Sequence, residues 1–126
     1  MGRGSGEDKD LKRLRALCLA LPDVVETSSW GHANWRTGKT LFASYEEYRG
    51  AKIFSFFAGN ERQDEFLEYE RFSVPRLTDQ YGWVCLKLDK DADWGEIREL
   101  VAFGHGVAKQ SAVAKQSAAR KPGEAA

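Results

Sequence analysis

Gly82-Trp83-Val84-Cys85-Leu86-Lys87-Leu88 is the stretch on which the fold turns. Trp83, Cys85 and Lys87 alternate with Val84, Leu86 and Leu88, the period of two that places successive side chains on opposite faces of a strand. Apolar residues occur on both sides, so it reads as a central strand. Upstream, Phe72 to Leu77 contains Val74-Pro75, and a proline that cannot donate to a ladder makes this an edge strand or an extended loop. Downstream, Asp93 is placed to cap a helix on which Trp94, Ile97, Leu100, Val101 and Phe103 share a face, with Glu96 and Glu99 outward. Gly104 and Gly106 are expected to weaken the end of that helix.

Further outward, Ala51 to Ala58 is a β-rich run around Ile53-Phe54-Ser55-Phe56-Phe57, preceded by a polar loop from Glu46 to Gly50. His32 to Thr37 and Thr40 to Tyr45 are two short strands joined by a hairpin turn at Thr37-Gly38-Lys39. These three strands predict an antiparallel meander, led into by Val24 to Gly31 with its β-branched and hydroxyl residues. Asn60 or Gly59 can cap a short helix from Glu61 to Tyr69 whose Phe66, Leu67 and Tyr69 turn inward. Near the start, Leu11, Leu14, Leu17, Cys18 and Leu21 form one stripe of a helix stopped by Pro22, while Lys9, Lys12, Arg13 and Arg15 cover its outer, solvated face. Helices interspersed with antiparallel strands predict an α+β class.

The 126 residues, 42% of them hydrophobic, suffice for one domain with one core. Residues 1–7 read as a disordered leader, 8–106 as the folded domain, and 107–126 as a basic low-complexity tail, a helical or frayed extension in which Val107 to Ala112 (VAKQSA) recurs as Val113 to Ala118. Four Trp, four Tyr and seven Phe supply large apolar surfaces, each burying on the order of 150–250 Å². Cys18 and Cys85 each sit in an apolar run with no CxxC or Cys/His spacing, the setting of a small buried hydrophobe. No run approaches the about 20 apolar residues of a membrane helix, and the opening lacks the apolar segment of a secretory signal. A cytoplasmic protein without membrane association is therefore expected. Nineteen basic and nineteen acidic side chains balance, which excludes a strongly basic, nonspecific nucleic-acid binder. The balance is uneven, because Lys109, Lys115, Arg120 and Lys121 against Glu124 leave the tail at +3 and the remainder at −3.

Catalysis finds little material. Neither His32 nor His105 has a sequence neighbour that would orient it, and the acids Glu61, Asp64, Glu65, Glu68 and Glu70 form a solvated helix face. A nucleophile elbow, a Walker loop, a dinucleotide fingerprint and a zinc knuckle are all missing from the chain. No catalytic residue, metal site or cofactor is therefore expected. The distinctive pattern is aromatic residues interleaved with cations: Trp30, Trp35, Arg36, Lys39, Arg49, Lys52, Arg76, Tyr81, Trp83 and Lys87. Hairpin cations can reach phosphates. Alternatively, a sheet face bearing Trp30, Trp35, Tyr81 and Trp83 can take a small aromatic ligand or a protein partner. Trp35 and Trp83 also suit the core of a sheet, and the cations a polar outer face.

Leu14 to Pro22 (LRALCLALP), Glu26 to Gly31 (ETSSWG), Trp35-Arg36, Gly38 to Ala43 (GKTLFA), Val74-Pro75 and Gly82 to Asp89 (GWVCLKLD) together resemble the MmcQ/YjbR family of small bacterial proteins. The resemblance runs from about Asp10 to Phe103. It implies a CyaY-like α+β fold, an antiparallel sheet with helices packed on one face, and DNA binding through a double wing of β-hairpins. Carried onto this chain, the wings are the loops around Tyr45 to Lys52 and Arg76 to Gly82, with Arg36, Lys39, Arg49, Lys52, Arg76 and Lys87 as phosphate contacts. The fold name is shared with the iron-binding frataxins, whose first helix is acidic. Here that helix carries Lys12, Arg13 and Arg15, so the iron role does not transfer.

Overall fold

The computed structural model describes residues 9–29, 32–75 and 82–125. In chain order it comprises α1 (Lys9–Leu19), β1 (Val24–Ser29), β2 (His32–Thr37), β3 (Thr40–Tyr48), β4 (Ala51–Phe57), α2 (Asn60–Leu67), β5 (Phe72–Ser73), β6 (Trp83–Lys87) and α3 (Trp94–Ala125). The strands form one antiparallel six-stranded sheet in the order β1-β2-β3-β4-β6-β5. The α+β class, with an antiparallel sheet, is as expected. Among the described residues no helix is long and apolar enough to cross a membrane.

Alternation decides which face the helices cover. Trp35, Ala43, Phe56 and Val84 are partners along one transverse row, and Ala33, Tyr45, Phe54, Leu86 and Phe72 along the next. All are buried, and α3 lies over β3 and β4 while α1 packs on β1 and α2 on β6. Leu14, Cys18, Ile97, Val101 and Ala108 complete this core from the helix side. Phe66 of α2 meets Phe56 and Phe72 edge-on, at ring separations of 5.1 and 5.3 Å.

Several elements differ from their sequence reading. Val24–Ser29 is a full strand paired with β2 from Val24↔Thr37 to Ser29↔His32, so the meander has four strands. Its mostly polar sequence disguised it. The polar Glu46–Tyr48 segment is the end of β3 rather than a loop, and the turn shrinks to Arg49-Gly50, with φ of 53° and 81°. Positive φ at both central residues matches the twist of a two-residue hairpin. Tyr69, expected inside, is exposed beyond the end of α2. Arg15 is not simply solvated, as described next. Finally, α3 runs through Gly104 and Gly106 instead of ending there, and Ala108 is fully buried.

The reason lies in how closely α3 approaches the sheet. A Cβ built on Gly104 would stand 3.1 Å from the Phe42 carbonyl oxygen and 3.5 Å from both Phe56 Cβ and the Phe57 carbonyl oxygen. This glycine permits close helix–sheet contact and does not terminate the helix. At the other end of the core, the Glu26 carboxylate joins α1, β1 and β2. Arg15 donates through Nε to Oε1 at 2.9 Å and through Nη2 to Oε2 at 2.9 Å, and Ser28 Oγ donates to Oε2 at 2.7 Å. Trp35 Nε1 donates to Oε1 at 2.9 Å, which satisfies the one polar atom of a fully buried indole.

Gly104→Ala should destabilise the fold by about 1–3 kcal/mol, since the contacted atoms belong to core strands. Gly106→Ala, whose Cβ meets nothing within 4 Å, should be neutral or stabilising by up to about 1 kcal/mol. Urea denaturation of the two variants should give opposite signs. The Arg15 hydrogen bond holds the Glu26 carboxyl below its ordinary value, with Ser28 and Trp35 acting in the same direction and burial opposing. A carboxylate whose folded pKa is depressed contributes stability that is complete above its unfolded pKa and lost as pH falls through the folded one. Thermal melts from pH 7 down to pH 3 should therefore fall more steeply for the native chain than for Glu26→Gln.

Candidate nucleic-acid interface

The end of the sheet formed by the β3–β4 hairpin gathers cations from three separate stretches of chain. Arg49 occupies the hairpin tip in the left-handed region, φ 53°, its guanidinium carbon 5.2 Å from the centre of the Tyr48 ring. Lys52 stands at the start of β4, with Nζ 3.8 Å from Asp10 Oδ2 on α1. Because β6 runs antiparallel to β4, Ile53 opposes Lys87, and the Leu88 amide donates to the Lys52 carbonyl at 2.8 Å. The chain then turns through Lys90 toward α3. From α1, the Arg13 guanidinium lies 4.8 Å over the Trp94 ring.

Together these residues line a concavity of about 830 Å³, in which Arg13, Arg49, Lys52, Lys87 and Lys90 face only two acids, Asp10 and Asp89. The local balance is thus +3 within a body that, up to residue 106, carries −3. Such a patch attracts phosphate without requiring a basic domain.

The remaining candidates divide. Arg36 and Lys39 belong to the opposite end of the sheet, because the β2–β3 and β3–β4 turns are separated by the length of β3, roughly 30 Å for nine residues. There Arg36 Nη1 donates to Thr27 Oγ1 at 3.4 Å and Lys39 is exposed in the turn. They do not join Arg49, Lys52 and Lys87. Arg76, Trp30 and Tyr81 lie outside the described residues, as does most of the second expected wing. Trp35 is fully buried against the helices and cannot line an open face, whereas half-buried Trp83 does, packed on Phe57 with ring centres 5.7 Å apart.

The histidines also separate. His105 is buried, donates Nε2–H to the Pro22 carbonyl at 2.9 Å and meets Phe42 edge-on, so it ties α3 to the turn before β1. His32 has the orienting neighbour that its local sequence does not offer, since its Nδ1 is 3.6 Å from Glu46 Oε1 on the adjacent strand. Arg13 and Lys90 were not picked out as phosphate contacts from sequence. Lys90 could have been inferred from its place just after the strand that pairs with β4. Nothing near Arg13 distinguishes it from the other cations of α1.

Both thiols are buried. Burial pushes the Cys18 thiol far above its ordinary value, with Glu26 adding to the effect. It also raises Cys85, although a contact of 3.1 Å with Ser55 Oγ acts the other way. Among the described residues no group of three or more His, Cys, Asp or Glu side chains could hold a metal ion.

The model of the YjbR family matches residues 19–105. A protein from Pseudomonas syringae shares the fold at a TM-score of 0.64 and 10% identity, covering 81% of this chain and 99% of its own. A Deinococcus radiodurans protein with a DUF419 domain does so at a TM-score of 0.64 and 19% identity, covering 75% of this chain and 74% of its own. At these identities the likeness is one of fold. Among curated proteins none matches the chain.

With both sulfurs buried and their thiolates disfavoured, Ellman's reagent should find almost no reactive thiol in the native protein at pH 8 and both after denaturation. Cys85, the more exposed at 8% against 0%, should react first.

Proposed function

The chain belongs to the YjbR family, and from that premise we propose that it is a non-enzymatic protein that binds DNA by its phosphate backbone at the basic end of the sheet. One observation carries the reading: cations from α1, the β3–β4 turn, β4, β6 and the turn after it meet in a single concavity with a local excess of positive charge. Phosphate contacts fix position and supply sequence-independent affinity, and neither demands a poised acid or base.

The backbone at Arg49 lends further support. A residue with a Cβ at φ 53° is strained relative to glycine or asparagine, by about 1 kcal/mol, and such strain tends to be kept where the side chain is useful. Here it projects a guanidinium from the hairpin tip. The alternative, a module for a small molecule or protein partner, rests on the other face of the sheet, where Trp83 is the one described member of its aromatic set left accessible.

Fluorescence anisotropy with a short duplex at 25–200 mM salt tests the reading. If about four phosphates are neutralised, log K should fall with log salt at a slope of about −3 to −4. Arg49→Asn, which keeps a residue tolerant of positive φ, should leave the hairpin intact and reduce that slope by about one; Lys90→Ala should act similarly. Binding that is absent at low salt, or a slope untouched by both substitutions, overturns the proposal.

A further inference from the structure

The sheet face turned away from the helices bears a groove that phosphate binding leaves unused. Its floor is one transverse row of small polar side chains: Asn34 pairs with Ser44, Ser44 with Ser55, Ser55 with Cys85, and Cys85 with Ser73. Larger residues form the rows on either side. Glu46, Ile53 and Lys87 stand along one wall, and Leu41 and Trp83 along the other. Same-face rows are two residues apart, so the walls are separated by roughly 13 Å of strand. Val74 and Pro75, just past β5, close one end.

The groove's volume of about 760 Å³ falls within the roughly 300–1,000 Å³ of small-molecule sites. Three features define what would fill it. The depth comes from the short floor side chains, which leave room for a flat body between taller rows. The apolar contacts come from the Trp83 indole together with Leu41, Ile53, Val74 and Pro75, surfaces suited to an aromatic ring. The charge comes from Lys87, an exposed cation with no ion-pair partner among the described residues, whereas Glu46 across Ile53 has His32 3.6 Å away.

We propose that this groove binds a planar aromatic carboxylate, its ring over Ser44, Ser55 and Cys85 beside Trp83 and its carboxylate on Lys87. The site is independent of DNA binding except for Lys87, which stands at the corner between the two surfaces. The deciding variants accordingly fall at Ser55 and Val74, which line the groove and not the basic concavity.

Naphthoate, naphthalenemethanol and naphthylmethylammonium serve as probes, titrated into the full chain with the indole N–H signals followed by nuclear magnetic resonance. Naphthoate should bind saturably, shift the Trp83 indole most strongly, and exceed the neutral alcohol by about two- to fivefold, the range for one exposed charge pair. The ammonium probe should bind weakest. Lys87→Met should erase the preference of carboxylate over alcohol, and Ser55→Trp, which fills the floor, should abolish binding of both. Val74→Asp, at a position already 39% exposed, should weaken naphthoate without disturbing the fold, and so decides the matter if Ser55→Trp misfolds. Arg49→Asn should change none of these affinities. No saturable binding at millimolar naphthoate, equal affinity for the alcohol, or binding that survives Val74→Asp unchanged overturns the proposal, whatever the outcome with DNA.

Discussion

The close approach of α3 to the middle of the sheet is the constraint on which the rest depends. Gly104 lets the helix backbone come within reach of the Phe42 and Phe57 carbonyls, and Ile97, Val101 and Ala108 are then fully or almost fully buried. Apolar area removed from water on this face is the main stabilising term. The polar ties at its margins, Glu26 with Arg15 and Trp35 and His105 with Pro22, set where the flanking elements lie and leave no buried side-chain polar atom without a partner among the described residues.

Once one face is sealed, strand alternation settles the character of the other. Every second residue of β2, β3, β4 and β6 is directed away from the helices, and these residues are short and polar in the middle, larger at either side. A register shift between Trp35 and Arg36 is a necessary part of this pattern. It lets Phe42 and Ala43 both be buried in succession while Leu41 joins the open face. Without the irregularity, strict alternation would send Leu41 and Ala43 to the same side.

In the proposed reading, function divides between two surfaces with different physics. The basic end would work by long-range attraction and be sensitive to salt, because most of its cations are exposed. The groove would work by shape and apolar contact, with one charge to orient a ligand. Lys87 stands where they meet, at the end of β6, since this strand both finishes at the basic end and supplies the floor and wall of the groove.

Much of the fold was legible because its signals are local. The alternation in Gly82–Leu88 identified β6 and its faces correctly, and the spacing of Leu14 and Cys18 or of Ile97 and Val101 identified buried helix stripes. β1 was harder, since Glu26-Thr27-Ser28-Ser29 has little apolar pattern and its strand state is imposed by pairing with β2. The sequence alone determined the fold class, much of the core and the types of residue available for binding, all of which follow from periodicity and composition. Tertiary structure decided the rest. A glycine in a helix looks the same whether it ends the helix or admits a neighbouring strand. Trp35 and Trp83 are equally aromatic until the sheet is given faces. Arg13, Arg49, Lys52, Lys87 and Lys90 become one patch, apart from Arg36 and Lys39, only because antiparallel pairing brings distant chain segments to the same end of the sheet.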